Sequence, residues 1–89
     1  MSTPKEQVGE SLLELSADVY AEVSVHNGRI YASVRRWFRA DDGEWYRTKN
    51  GLHLRYSDIM EVLACYELLV SFFQQRAAQL SKEQNIELV

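Results

Sequence analysis

The chain has 89 residues, of which 46% are hydrophobic and 26% are charged, and its formal net charge at pH 7 is −3. These values are typical of one small folded domain and exclude a disordered, collagen-like or disulfide-built chain. No apolar run reaches the roughly 20 residues that span a bilayer, and the start MSTPKEQVGES lacks the apolar core of a signal peptide. We therefore expect a cytoplasmic protein without a membrane partner.

The charge is divided along the chain. Residues 19–55 carry seven Lys and Arg against four Asp and Glu, a formal charge of +3, whereas residues 1–18 and residues 56–89 each carry −3. Both tryptophans and half of the ten cations lie in RRWFRADDGEWYRTK, residues 35–49. Because the distribution of charge decides which ligands approach a surface, the middle of the chain is expected to meet an anion.

Three segments are predicted. Residues 1–17 form a flexible acidic arm in which SLLELS allows a short extra strand, residues 18–80 form the binding domain, and residues 81–89 form a polar tail. VYAEVSV, residues 19–25, alternates apolar and polar side chains and predicts a half-buried strand. Asn27-Gly28 then supplies the positive φ angles of a tight hairpin turn.

The second predicted strand is long, Arg29 to Arg39. Its alternation gives two sets of side chains. Ile30, Ala32, Val34 and Phe38 are expected to face the core. The other set is cationic and aromatic, and comprises Arg29, Tyr31, Ser33, Arg35, Trp37 and Arg39.

Two further short strands are predicted. Asp41-Asp42-Gly43 indicates a turn, with Asp bonding its own backbone and Gly in a left-handed conformation. A third strand follows over residues 44–48, Lys49-Asn50-Gly51 predicts another turn, and residues 52–55 form the fourth strand.

After residue 57 the apolar spacing becomes helical. Asp58 resembles an N-cap, and one long helix is predicted from there to residue 80. Its main apolar stripe is Ile59, Leu63, Tyr66, Val70, Phe73 and Ala77. A second stripe, which includes Cys65, runs alongside it, and one helix on a small sheet does not need so wide an apolar surface. The excess favours a homodimer through the helices over a monomer whose N-terminal arm covers the stripe.

Catalytic and metal-binding patterns are absent from the sequence. His26 falls in a turn and His53 on a short strand, neither with a second ligand at a usual spacing, and Cys65 is interpreted as a buried hydrophobic residue. The sequence shows no nucleophilic side chain paired with a base that would activate it. We expect no enzyme activity, no metal and no cofactor.

The basic and aromatic strands instead favour binding. Arg and Lys neutralise phosphates, and exposed aromatic rings stack on unpaired bases. Such rings favour a single strand over a duplex, whose base faces are covered. The alternative from the pattern alone is that Trp37 and Trp45 are core residues flanked by solvated arginines.

GRIYASVRRWFRADDGEWYRTKNGLHL, residues 28–54, resembles the core of the positive cofactor four family of single-stranded-DNA-binding transcriptional coactivators. The resemblance is in the order of elements: a basic residue after a hairpin glycine, a strand ending in Arg and two aromatics, an Asp-Gly-Glu turn, and Gly-apolar-x-Leu before a helix. It implies an α+β fold, a curved four-stranded antiparallel sheet followed by one long C-terminal helix, paired as a homodimer through the helices. It also implies sequence-tolerant binding of single-stranded DNA.

By position, the resemblance makes Arg35 a phosphate-binding residue, Phe38 the stacking aromatic and Lys49 the basic residue that precedes the family's glycine. Strict alternation instead puts Trp37 on the face of Arg35, and a bulge near Arg36 would bring Phe38 round to it. The predicted nucleic-acid-binding set is Arg29, Arg35, Trp37, Phe38, Arg39, Trp45, Arg47, Lys49 and Arg55.

The function expected from these observations is largely sequence-independent binding of single-stranded DNA, in transcription regulation or in DNA replication, recombination and repair. The expected partners are single-stranded DNA, a second copy of the chain, and transcription or replication proteins. The protein would be nucleoid-associated, or in the host cytoplasm if it comes from a phage. The alternatives are a helix-mediated protein-interaction module that binds nucleic acid incidentally, and an RNA-binding protein.

Overall fold

The computed structural model describes residues 3–9 and 11–88 and shows a four-stranded sheet followed by helices. The elements are α1 (Pro4–Val8), β1 (Leu12–Glu14), β2 (Val19–His26), β3 (Arg29–Arg39), β4 (Trp45–Arg55), α2 (Tyr56–Ala64) and α3 (Tyr66–Gln84). The strands follow the order β1-β2-β3-β4, each antiparallel to its neighbour. This confirms the predicted α+β class with a four-stranded antiparallel sheet.

The chain divides into two compact units, residues 1–59 and residues 60–89, and the boundary falls inside α2. The sheet belongs to the first unit and α3 to the second. Within the described residues, no helix is both long enough and apolar enough to cross a membrane.

The four strands are not the four that the sequence predicts. The sheet's edge strand β1 comes from the segment predicted as an arm, where SLLELS allowed a strand, and Leu12–Glu14 pairs there with β2. The turn predicted at residues 49–51 is wrong, since β4 runs unbroken from Trp45 to Arg55. Gly51 lies within the strand, opposite Arg35, at φ +150°.

Local irregularity in β4 replaces the predicted turn. Arg35 pairs with Gly51 but Trp37 pairs with Arg47, so residues 48–50 stand opposite the single residue Arg36. The Thr48 hydroxyl donates to the Arg36 carbonyl at 2.5 Å and accepts from the backbone N–H of residue 50 at 3.1 Å. Polar turn-type residues thus bend the strand without reversing it.

β3 keeps its alternation through this region, because it pairs with β2 without any shift from Arg29 to Arg36. Trp37 therefore shares a face with Arg35, while Phe38 belongs to the opposite face. The bulge that the sequence allowed near Arg36 is present as a register shift. The extra residues of that shift belong to β4, not to β3. The expectation that it would bring Phe38 round to Arg35 is wrong.

The N-terminal segment contains the short helix α1, where the sequence predicted a flexible arm. Thr3 caps it by accepting the Glu6 N–H at 3.1 Å, and Pro4 is buried in its first turn. The Gln7 side chain donates to the Trp45 carbonyl at 2.9 Å and accepts from the Trp45 N–H at 2.8 Å. The helix is thereby tied to the start of β4. Residues 1, 2 and 10 of the predicted arm lie outside the described residues.

The buried cluster consists of Leu12, Tyr20 and Trp37, each at most 3% exposed, with Trp45 half-buried against it. The Tyr20 and Trp37 rings meet edge to face with centroids 6.2 Å apart. Burial raises the pKa of the Tyr20 hydroxyl above its ordinary value, and nearby carboxylates add to the effect. This core lies on the face of the sheet that carries Trp37.

The other face, which we call the apolar face, carries most of the alternating residues that the sequence assigned to the core. Its side chains are Leu13, Val19, Ala21, Val23, Val25, Ile30, Ala32, Val34, Leu52 and Leu54. Val23 is 64% exposed, Val25 72% and Ile30 54%. The alternation was predicted correctly, but these three side chains are not core residues in the single chain.

The predicted single helix is divided in two at Cys65. Its φ of −107° and ψ of 19° interrupt the helical ladder, and neither proline nor glycine marks the place. The side chain of Cys65 is exposed, where the sequence predicted burial. Asp58 lies in the first turn of α2 and is not its N-cap, and α3 continues past residue 80 to Gln84, where Asn85 adopts a left-handed conformation.

Candidate nucleic-acid interface

One face of the sheet, which we call the cationic face, collects most of the predicted binding residues. Alternation along β3 and its pairing with β4 place on it Arg29, Tyr31, Ser33, Arg35, Trp37, Arg39, Trp45, Arg47, His53 and Arg55. Five arginines from two strands thus share one surface, as the charge division along the sequence indicated. β2 contributes Glu22 to the same face, opposite Ser33.

Arg35 stands near the middle of this face and is held by two neighbours. Its Nη2 donates to the Ser33 hydroxyl at 3.0 Å and lies 2.9 Å from Nδ1 of His53. The Ser33 hydroxyl and His53 Nδ1 are themselves 2.6 Å apart, and Ser33 is buried. Nε of Arg35 is buried without a hydrogen-bond partner among the described residues. The guanidinium is therefore fixed through one nitrogen.

An open cavity of about 270 Å³ lies beside Arg35. It is lined by Arg35, Thr48, Lys49, Gly51, Leu52 and His53. Gly51 faces Arg35 across the two strands, and an added Cβ there would overlap the carbonyl oxygen of Val34 and come within 2.5 Å of the Arg35 Cα. A glycine is thus required where the two strands approach most closely, and Lys49 brings a second cation to the same cavity.

Trp37 does not offer a stacking surface, which corrects one of the two expectations for the base-stacking residue. It is 3% exposed, with Tyr20 at its edge and the Arg47 guanidinium 4.7 Å above its ring. Trp45 is half-buried beside it. The interpretation of the tryptophans as core residues is correct for Trp37.

Arg47 is paired with another residue of the chain, although its side chain is 43% exposed and the sequence placed it among the phosphate-binding residues. Its Nε donates to Oε1 of Glu22 at 2.7 Å, and Nη2 donates to the other carboxylate oxygen. These bonds hold the pKa of the Glu22 carboxyl below its ordinary value, although burial acts in the opposite direction. The same pair raises the pKa of Arg47. A bidentate, charge-assisted pair of this kind takes one cation out of the ligand surface.

Phe38 is exposed but lies on the face opposite Arg35, paired with Tyr46. The Tyr46 hydroxyl donates to the Asp42 carboxylate at 2.7 Å, and Asp42 also accepts the Glu44 N–H at 2.8 Å. These bonds lower the pKa of Asp42, the backbone bond most, and raise that of Tyr46. Asp42 and Gly43, at φ +84°, form the turn that the sequence predicted.

Tyr31 and His53 form a ring pair on the cationic face that the predicted site leaves out. Their rings are parallel within 5°, with centroids 4.9 Å apart, and His53 is exposed. Tyr31 could have been predicted as a site residue, since alternation along β3 places it on the same face as Arg35. His53 could not, because its position beside Ser33 depends on the register of β4.

The remaining predicted cations, Arg29, Arg39, Lys49 and Arg55, have exposed side chains. Residues 3–9 and 11–88 contain no group of three or more His, Cys, Asp or Glu side chains placed to hold a metal ion.

Neither a protein-family model nor a curated protein matches the chain. A solved structure does. The bacteriophage T5 homolog of the eukaryotic transcription coactivator PC4, implicated in recombination-dependent DNA replication, aligns with a TM-score of 0.50 and 21% sequence identity over 85% of this chain and 93% of its own. The chain therefore has a PC4-like fold, the fold that the resemblance to positive cofactor four implied.

The predicted dimer residues differ in their exposure. Ile59 is 3% exposed and is already buried within the single chain, which removes it from the predicted interface. Leu63, Tyr66, Val70 and Phe73 are exposed, and Ala77 is half-buried. No side chain of α3 is buried. The helix thus presents an apolar surface in addition to the apolar face of the sheet.

Proposed function

We propose that the protein binds single-stranded DNA without sequence preference on the cationic face, and that it acts by binding alone, without catalysis. The observation that carries this proposal is the convergence of arginines from β3 and β4 on one face of an otherwise acidic chain. Cations spaced along two strands fit a flexible phosphodiester backbone, and the release of its counterions supplies the affinity.

Arg35 and Lys49, at the cavity beside Gly51, are proposed to hold phosphates, with Arg29, Arg39 and Arg55 extending the track. The ring pair of half-buried Tyr31 and exposed His53 is proposed to supply a flat surface for a base, in place of the predicted stacking residues. Arg47 serves the protein's own structure through Glu22 and Trp37.

The cellular process is proposed from the fold's likeness to the T5 protein, a homolog of a transcription coactivator that is implicated in recombination-dependent DNA replication. We propose a role in DNA replication, recombination or repair, or in transcription regulation, with proteins of those processes as further partners. All of these processes expose unpaired DNA in the compartment where the chromosome lies.

We further propose that the functional form is a homodimer. The apolar face of the sheet exposes Val23, Val25 and Ile30, and the helical unit exposes Leu63 of α2 with Val70 and Phe73 of α3. Monomeric proteins rarely leave apolar patches of such extent exposed to water. In a homodimer, the same apolar surfaces of two copies are buried against each other.

The experiment that tests the proposal is a fluorescence-anisotropy titration of a labelled oligo-thymidine, a duplex of matched length and a single-stranded RNA of matched sequence, at low salt. We expect the DNA single strand to bind at least about tenfold more tightly than the duplex, since only the single strand can follow the face and stack its bases. Failure of the single strand to bind at low salt would reject the proposal, and a preference for RNA would reassign the ligand.

The exposed apolar surfaces favour a second candidate, a protein-interaction module that binds nucleic acid incidentally. Salt dependence separates the two. Binding that neutralises Z phosphates weakens with a log–log slope near −0.7Z, so a track of several cations predicts a steep slope, whereas incidental contact with one or two phosphates gives a shallow one.

A further inference from the structure

The cationic face contains a hydrogen-bond network whose geometry requires a particular protonation state of one histidine. Arg35 Nη2 donates to the Ser33 hydroxyl at 3.0 Å, and that hydroxyl lies 2.6 Å from Nδ1 of His53. The same Nη2 also points to His53 Nδ1 at 2.9 Å. An arginine can only donate, so Nδ1 must be the acceptor and the imidazole must be neutral, with its proton on Nε2.

Protonation of His53 would make Nδ1 a donor as well. Two N–H donors, each on a cation, would then face each other at the 2.9 Å that separates Arg35 Nη2 from Nδ1. The Ser33 hydroxyl could still accept from the imidazolium, so the bond between Ser33 and His53 survives with its direction reversed. Arg35 keeps the Ser33 hydroxyl as an acceptor, but it loses His53 as a partner and is repelled by the imidazolium.

We propose that His53 is a positioning residue for Arg35: neutral imidazole holds the guanidinium against the sheet, and imidazolium releases it toward a phosphate, so that binding of single-stranded DNA tightens as the pH falls. This inference rests on the proposed function and describes how pH regulates DNA binding at the same site. Histidine is the side chain that changes charge between about pH 5 and pH 8.

The charged and titratable groups around His53 come from three strands. β2 contributes Glu22 and His26, whose ring meets that of Tyr31 edge to face with centroids 6.2 Å apart. β3 contributes Arg35 and Tyr31, which stacks on the His53 imidazole, and β4 contributes Lys49 and Arg55. Glu22 is bonded to Arg47, which holds the pKa of Glu22 below its ordinary value. Glu22 therefore stays ionised while a histidine titrates, and the change in charge belongs to the imidazole.

The first test measures oligo-thymidine affinity at about pH 8 and about pH 5.5 and fixed low ionic strength. We expect the wild type to bind about three- to tenfold more tightly at the lower pH, as one cation is added and another is freed. His53→Gln keeps an uncharged acceptor at all pH values, so its affinity should not change between the two pH values. Loss of the stacking ring should weaken its binding to the same extent at both. His26→Gln alters the other histidine of the chain, which meets Tyr31 but not Arg35, and it should keep most of the wild-type response.

A second variant separates positioning from a simple gain of charge. If His53 acts through Arg35, Arg35→Gln should bind weakly with no more than about a twofold difference between the two pH values, whereas a charge effect of His53 alone would survive. A full pH response in either Arg35→Gln or His53→Gln would overturn the inference while leaving the proposed function intact.

A measurement on the free protein tests the inference without DNA. In a ¹⁵N-edited NMR titration, the Arg35 Nε–H signal should shift with the His53 imidazole in the wild type and stay fixed in His53→Gln. No binding of oligo-thymidine at either pH would reject the proposed function, and an Arg35 signal that ignores His53 protonation would reject the inference.

Discussion

The guanidinium of Arg47 lies between two partners, the carboxylate of Glu22 and the indole face of Trp37. Arg and Trp are residue types that often bind nucleic acid. The register of β3 and β4 explains why Arg47 and Trp37 contact each other instead. Trp37 pairs with Arg47 across the strands because β4 carries extra residues opposite Arg36. At the scale of single residues, composition predicted the cationic face well and the individual contacts poorly.

The bond between Glu22 and Arg47 makes stability depend on pH in the acid range. The pKa of Glu22 is lowered in the folded protein, so its contribution is present above its ordinary value of 4.5 and is lost as the pH falls below that value. We expect Glu22→Gln to lower the free energy of unfolding by about 1–2 kcal/mol at pH 7 and by much less near pH 3. Urea denaturation of both proteins at the two pH values measures this, and an equal difference at both would contradict it.

Trp37 and Phe38 are neighbours with opposite environments, 3% and 58% exposed. Trp37→Ala should lower the free energy of unfolding by about 3–5 kcal/mol, since it empties the centre of the small core. Phe38→Ala should change it by no more than about 0.5 kcal/mol. Urea denaturation compares them, with Trp37→Phe as the variant that still folds if the alanine variant does not. A Phe38→Ala variant as unstable as Trp37→Ala would be inconsistent with the placement of the two rings.

At the scale of elements, β4 shows what local sequence signals cannot determine. Lys49-Asn50-Gly51 has the composition of a turn, and the alternation on both sides is that of two short strands. The chain continues as one strand because the ladder to β3 supplies partners on both sides of residues 48–50. Alternation in β2 and β3 and the two Gly-containing turns around residues 28 and 43 were predictable from local chemistry. The edge strand β1 depends on its pairing with β2, and the break at Cys65 has no proline or glycine to signal it.

Gly51 is the residue on which the path of β4 depends. Gly51→Ala should lower the free energy of unfolding by at least about 2 kcal/mol, because its φ of +150° is unfavourable for alanine and the added Cβ meets the backbone of Val34 and Arg35. Gly43→Ala is the control: its φ is +84°, but its surroundings are open, and we expect a loss of only about 1 kcal/mol. Equal losses in thermal or urea unfolding would contradict the close approach of the strands at Gly51.

At the scale of the whole molecule, the exposed apolar surfaces support the proposed homodimer. If the stripe of α3 is an interface between copies, Phe73→Glu should convert a dimer to a monomer in sedimentation equilibrium, because a charge cannot be buried there without a partner. Gln75→Glu, at an exposed polar position of the same helix, should leave the dimer intact. A wild-type protein that sediments as a monomer at all concentrations would reject the proposed homodimer.

Substitutions at two adjacent arginines test most directly whether the cationic face binds single-stranded DNA. Arg35 lies on that face, whereas Arg36 points to the other face and lies 3.7 Å from the carboxylate of Asp18. In oligo-thymidine titrations at several salt concentrations, Arg35→Gln should bind at least about tenfold more weakly, with a log–log salt slope reduced in magnitude by about 0.7, and Arg36→Gln should stay within about twofold of the wild type. Equal effects of the two substitutions would contradict binding at the cationic face.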